Sequence, residues 1–287
     1  MANLKELRTR IASIGSTMKI TSAMKMVSAA KLKKAQDSIQ NMRPFSEKLT
    51  EILQNVSSSL SADDNPYAVE RPVKKVLLVS LTSNRGLCGP FNSSIIKATA
   101  ARAAEITDAE VEIFAIGKKG SELLGKTLNV IGNANDVWND VNYKRTDEIA
   151  EELMQGFVDK KWDRIELVYN QFKNAAVQIV TNEQYLPIKL EEGGSEAGGD
   201  YIYEPGKEEI IKYIIPTSLR SQIYKAVLDS NASEHGARMT AMHKATDNAG
   251  ELKGELSLEY NKARQAAITN EILEIVGGAN ALEGQGD

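Results

Sequence analysis

The chain has 287 residues, enough for one or two domains with a true core, and its 42% hydrophobic and 26% charged residues are an ordinary soluble balance. A formal charge of −4 gives no general basic character for nucleic acid, and no apolar run approaches the ~20 residues that span a bilayer. One cysteine, Cys88, excludes an internal disulfide and any multi-cysteine metal site.

The opening "MANLKELRTRIASIG" is charged and amphipathic and lacks the apolar centre of a signal peptide, so a reducing, cytoplasmic setting is expected. From Met1 to Arg43 the chain has no proline, and Leu4, Leu7, Ile11, Ile14 and Met18 step by three and four. The stripe then slips, resuming at Ile20, Met24 and Val27, and continues through Ile39, Met42, Leu49, Ile52, Val56 and Leu60. Such spacing predicts a coiled-coil helix over about 3–57, kinked at Pro44, where a backbone bond is lost and the previous turn is crowded.

The middle reads differently. "VKKVLLVSLTS" (73–83), "EVEIFAIG" (110–117) and "RIELVYNQF" (164–172) are β-branched, apolar runs suited to strands buried in a sheet. Helical segments around 92–106 and 146–160 separate them, and that alternation predicts a largely parallel sheet. A further strand within 175–188 follows by a tight connection, and "EEGGSEAGGD" (191–200) reads as a flexible acidic linker.

Proline is absent again after Pro216, and a second stripe runs through Leu228, Ala232, His235, Met239 and Met242. It carries on through Ala245, Ala249, Leu252, Leu256, Tyr260, Ala263 and Ala267. The expected fold class is therefore α/β: a long antiparallel two-helix coiled coil with a Rossmann-like α/β domain inserted between its helices. The domains divide as a helix in 1–60, the α/β domain in 73–203 and a second helix in 217–287. At 1.5 Å per residue the helices would be roughly 80 and 100 Å long, so the second overhangs the first. The overhang carries Ile272, Ile275, Val276, Ala279 and Leu282, an apolar tip that asks for an external partner.

Little in the chain suggests chemistry. "GSELLGKT" (120–127) fits the phosphate-loop pattern, with Lys126 and Thr127 in the expected places. Its "SELL" is helix-forming where a wrapping loop is needed, and "LNVIGNAND" after it offers no helix N-terminus for a phosphate. A short surface helix ending at Gly125 is the better reading. "NRGLCGPFN" (84–92) follows a strand but misses the dinucleotide pattern. His235 and His243, the only histidines, lack Cys or carboxylate at ligand spacing. Cys88 has no neighbouring histidine to act as base and reads as a small, partly buried side chain. No catalytic residue, cofactor or metal site is expected. Charge is uneven, however: residues 1–57 carry ten Lys and Arg against four Asp and Glu, a net +6. That pattern suits a solvated helix face or a basic shaft facing an acidic protein; nucleic acid is a weaker third reading, since the basic side chains lack interleaved aromatics and the opposing helix is net acidic.

Several stretches together resemble the γ subunit of F-type ATP synthases. "ITNEILEIVGGANAL" (268–282) is similar to that family's C-terminal signature. "SEHGARMTAMHKATDNA" (233–249) and "RIASIGSTMKITSAMKMVSAAKLKKAQ" (10–36) resemble its paired helices, and "TSNRGLCGPFN" (82–92) its Gly-Leu-Cys-Gly turn. The resemblance implies a non-catalytic central rotor that couples rotation of a membrane ring to the catalytic sites of the β subunits. It implies α and β subunits of a hexamer, an ε subunit and a ring of c subunits as partners, with no nucleic acid and no membrane insertion. It also implies a peripheral position on the cytoplasmic face of the inner membrane. By position, Met24 and Lys25 match the contact with an acidic β-subunit loop. Arg238, Gln265 and Thr269 match hexamer contacts, as do Glu271, Ile272 and Ile275 in the signature; Arg85 and Cys88 lie in the turn facing the β subunits. Asn84, Pro90 and Gly236 depart from the pattern, where aspartate, a small residue and a helix former are commoner. Two other readings compete: a coiled-coil adaptor with a small-ligand-binding α/β domain, and an NTPase acting through Gly125, Lys126 and Thr127.

Overall fold

The apolar runs in the middle of the chain form the strands they predict. The computed structural model describes residues 4–57, 65–188 and 207–283, so the Gly-rich stretch 191–200 and Leu60 lie outside the described residues. Two helices, α1 (Leu4–Ser57) and α5 (Lys207–Glu283), flank β1 (Lys75–Leu81), α2 (Phe91–Glu105), β2 (Glu110–Ile116), α3 (Lys118–Leu124), β3 (Val130–Asn133), α4 (Tyr143–Val158), β4 (Arg164–Phe172) and β5 (Gln178–Leu186). The chain divides into two compact units, Met1–Val27 with Ala241–Asp287, and Ser28–Thr240.

In the larger unit the strand order is β3-β2-β1-β4-β5. The first four strands pair in parallel, and β5 returns antiparallel beside β4 as a hairpin. β1 is central, and six of its seven residues are buried, as a strand covered on both faces requires. Its alternation divides two cores. Leu77, Val79 and Leu81 join Ile149, Leu153 and Phe157 of α4 and Ile215, Leu219 and Ile223 of α5. Val76 and Leu78 face Ala103 of α2 and Leu124 of α3. Asn142 caps α4, its side chain accepting from Arg145 N at 3.0 Å, which satisfies one of the helix's orphan donors. α5 starts at Lys207, with Pro216 inside it, instead of after that proline. Burial of Ile215 and Leu219 around the proline supplies what its missing N–H removes. α1 likewise runs on through Pro44.

Within the smaller unit the two helices run antiparallel: Arg8 meets Tyr260, Thr21 meets Thr246 and Lys25 meets His243. The α1 stripe does not slip. It passes through Leu7, Ile11, Ile14 and Met18 to buried Thr21, while Ile20 and Val27 point outward, 61% and 57% exposed. A polar residue holds the seam position where an apolar neighbour suggested a shift. On α5 the half-buried seam positions include Ala249, Lys253, Leu256 and Tyr260, and Leu252 lies off it.

Gly117, between β2 and α3, has φ +120°, and a Cβ there would sit 2.0 Å from the Thr82 carbonyl oxygen. Gly254, in α5, faces open space. Gly117→Ala should therefore cost at least ~3 kcal/mol through strain and overlap. Gly254→Ala should instead stabilise by ~0.5–1 kcal/mol, the difference in helix propensity. Thermal melts of the two variants read both effects.

Candidate partner interfaces

The phosphate-loop pattern is closed by the chain itself. Gly120 lies inside α3, where its N–H donates to Thr82 Oγ1 at 2.8 Å. The N–H groups of Lys118 and Lys119 go to Asn84 Oδ1 and the Ser83 carbonyl. At the other end of α3, Gly125, Lys126 and Thr127 donate to the carbonyls of Ser121, Leu123 and Leu124. Lys126 and Thr127 thus follow the carbonyl end of a helix, which repels phosphate. No backbone donor in this segment is left to cradle one.

A doubly wound sheet commonly binds ligands where its strand order reverses, here beyond the C-terminal ends of β1 and β4. That place is filled by residues 83–92. Phe91 is buried, and its carbonyl accepts from Asn170 Nδ2 at 3.2 Å. Ser233 Oγ, from α5, donates to the Asn170 carbonyl.

The turn 83–92 is tied down on several sides. Asn92 Oδ1 accepts from Ser83 N at 2.9 Å, and Asn92 Nδ2 donates to Ser83 Oγ at 2.8 Å. Cys88 is buried among these groups, against Phe91 and Ala237. Burial pushes its thiol above the usual range, which leaves it a poor nucleophile. Asn84 donates to the Asn135 carbonyl at 2.7 Å and accepts from Lys118 N. An aspartate could do only the second, which gives the amide a local reason at this position. Gly236 allows close approach of the β4–β5 hairpin, since a Cβ there would lie 3.1 Å from Ala175 Cα.

Arg238 is 8% exposed and is spent within this unit. Its Nη2 donates to the carbonyls of Arg85 and Gly86 at 3.3 and 3.2 Å, and its Nη1 pairs with Glu234 Oε1 at 2.5 Å. Nη1 also lies 3.5 Å from His235 Nδ1. Arginine only donates, so Nδ1 is the acceptor and the ring is neutral with its proton on Nε2. Glu234 was missed from sequence, although its i, i+4 spacing to Arg238 on a helix was the available signal. Burial raises the Glu234 carboxyl, and Arg238 opposes that shift.

In the smaller unit, Met24 is partly buried, and Lys25 Nζ lies 3.4 Å from His243 Nδ1. His243 does have a carboxylate one helical turn on, Asp247 at 3.2 Å, contrary to the expectation from its spacing, but the described residues hold no group of three that could bind a metal. Lys19 is exposed. Lys19 with Met26, and Ile20 with Val27, form two adjacent seven-residue rows that mix charge with bare apolar surface. Arg8 meets Tyr260, so α5 passes the described start of α1 near Arg264. Gln265, Thr269, Glu271, Ile272 and Ile275 beyond it are all exposed, Ile272 by 55% and Ile275 by 66%. Ala279 is exposed too, and Leu282 lies outside the described side chains.

A family model described as ATP synthase matches residues 3–282. The ATP synthase gamma chain of Flavobacterium johnsoniae is 60% identical over 286 residues, 99% of this chain and 100% of that one. The chain belongs to the ATP synthase gamma chain family. The gamma chain of Geotalea daltonii is 44% identical over 289 residues, with 99% and 100% covered. Among solved structures, the central stalk and c-ring of Tetrahymena thermophila mitochondrial ATP synthase contains a similar chain at 29% identity and TM-score 0.60, covering 79% of this chain and 99% of that one. A chain of the Euglena gracilis mitochondrial enzyme shares the fold over 99% of this chain and 96% of its own, with TM-score 0.69 and 22% identity. As a gamma chain, the protein is a non-catalytic stalk subunit of an ATP synthase. No helix among the described residues is long and apolar enough to cross a membrane.

Two groups on α5, buried Asp229 and half-buried His235, give opposing pH effects. Burial, then Arg238 and Lys31, lowers His235 from 6.5 to about 4. As pH falls through that window the unfolded chain takes up a proton that the folded chain refuses, so stability is lost. Burial raises Asp229 from 3.8 to about 6, against Lys225, the Phe172 N–H and Arg43. Between those values the folded chain takes up the extra proton, and acidification adds stability. Asp229→Asn removes the second effect alone. From neutral to about pH 4.5 the variant should lose ~1–3 kcal/mol more stability than the parent in urea titrations.

Proposed function

We propose that the chain is the shaft of a proton-translocating ATP synthase. In this reading α and β subunits form a hexamer around its helices, and the α/β body rests with an ε subunit on a ring of c subunits. The whole lies peripherally on the cytoplasmic face of the inner membrane. Turning of the ring rotates an asymmetric shaft, which presents different faces to the three β subunits in turn. The observation that carries this reading is the end of α5. Ile268, Ile272, Leu273, Ile275 and Val276 stand bare beyond the helix's pairing with α1. An exposed aliphatic surface on this tip suits a sleeve in which it must turn, because dispersion contacts favour no single angle as a strong polar contact would.

Truncation after Glu271 should leave the melting temperature of the isolated chain unchanged and weaken assembly with the α and β subunits. A tip packed into the chain's own core would instead cost ~1.5–3 kcal/mol per buried aliphatic side chain. Thermal unfolding of the truncated chain, beside reconstitution with a hexamer, decides between these outcomes.

The exposed lysines of α1 support an acidic counterpart on the β subunit. Replacing Lys19, Lys31, Lys33 and Lys34, all exposed, with Glu should alter folding stability by less than ~1 kcal/mol. Proton pumping per ATP hydrolysed in reconstituted vesicles should fall, most clearly at low salt.

A further inference from the structure

Arg238 and the turn over residues 83–92 together describe a device. Leu87, at the head of the turn, has φ +62° and is 65% exposed. A bulky side chain in the left-handed region persists only where its surroundings over-determine the backbone. Arg85 beside it is exposed, while Ser83 and Cys88 on either side are buried. One cation and one aliphatic side chain are therefore displayed on main chain whose carbonyls, at 85 and 86, are held by the Arg238 guanidinium. The Arg85 carbonyl also accepts from Ser83 Oγ at 2.6 Å. Glu234, 7% exposed, fixes Arg238 from the other side on the preceding helical turn.

We infer that Arg238 and Glu234 are positioning residues, a buried staple that pre-forms the 83–89 turn so that Arg85 and Leu87 engage an acidic, apolar-pocketed surface of a β subunit. Arg238 then acts on the partner through the turn and not by touching it. The inference rests on the stalk reading for its partner, but the staple itself is a property of the isolated chain. Rigid presentation matters because a loop ordered only on contact would spend binding energy on its own ordering.

Cys88 supplies the test, being the only thiol in the chain and buried under the turn. In the full chain, Glu234→Gln with Arg238→Met removes the staple without leaving an unpaired buried charge. Maleimide labelling of Cys88 should then be about tenfold faster or more, since turn opening no longer requires breaking the staple. Circular dichroism should stay native, and Arg238→Lys, which can still donate to a carbonyl, should restore part of the protection. Slow labelling in the natively folded double variant, equal to that of the parent, would overturn the staple. In reconstituted complexes, Leu87→Ala and the staple variant should each lower ATP-driven pumping, and the two combined should do no worse than either. Fully additive losses would overturn the idea that the staple works through Leu87. Failure of the unsubstituted chain to assemble would count against the stalk reading, while the labelling result would still decide the staple.

Discussion

The larger unit depends on a segment of α5 that is buried nearly all round. From Ala226 to Arg238 only Asn231 and His235 reach even intermediate exposure. Most helices bury a single stripe and leave the rest to water. Here Val227 faces the sheet core, Ala232 meets Leu32 and Ala35 of α1, and Ala237 meets Cys88 and Phe91. Three neighbours on three sides demand short side chains, and Ala226, Ala232, Ser233, Gly236 and Ala237 provide them. Three polar side chains at or just beyond this stretch are tied to specific partners, so the helix cannot rotate without losing them together, while the buried Ser230 hydroxyl has no hydrogen-bond partner among the described residues. Ser233 bonds the Asn170 carbonyl, Thr240 bonds the Ala175 carbonyl, and Arg238 is locked to Glu234 and the turn. Position and angle of the helix within this unit are thereby specified by hydrogen bonding as well as by shape.

Much of this architecture is legible in the sequence. Buried parallel strands announce themselves by unbroken apolar runs, and β1, β2 and β4 follow theirs closely. Apolar periodicity alone misplaces the α1 seam around residue 20. The seam position is Thr21, whose hydroxyl meets that of Thr246 at 2.8 Å. A paired hydroxyl is as good a seam residue as an aliphatic one, but its partner lies more than two hundred positions away and has no local signature. Pro216 concealed the first turns of α5 for a related reason. Proline's cost is local, whereas the burial of Ile215 and Leu219 that offsets it comes from the distant sheet.

Family resemblance says which positions should face a partner, and it does not say what their side chains do within the chain. Arg238 is an arginine at a position expected to touch a partner, yet its guanidinium is turned onto its own chain. Neither composition nor spacing could tell an inward arginine from an outward one, since the carbonyls it binds belong to a turn some 150 residues earlier. Asn84 and Gly236 depart from the family pattern. Each has a partner that explains it, the Asn135 carbonyl for the amide and the Ala175 backbone for the missing side chain.

The bare end of α5 has a consequence for the cell. A helix that exposes Ile268, Ile272, Leu273, Ile275 and Val276 in one short stretch offers the kind of surface that holdase chaperones bind and quality-control proteases survey. Until a partner covers it, that stretch is also a site of self-association. A surplus of this subunit over whatever covers that stretch would therefore tend to be degraded or to aggregate, a cost set by the hydrophobicity of a few terminal turns.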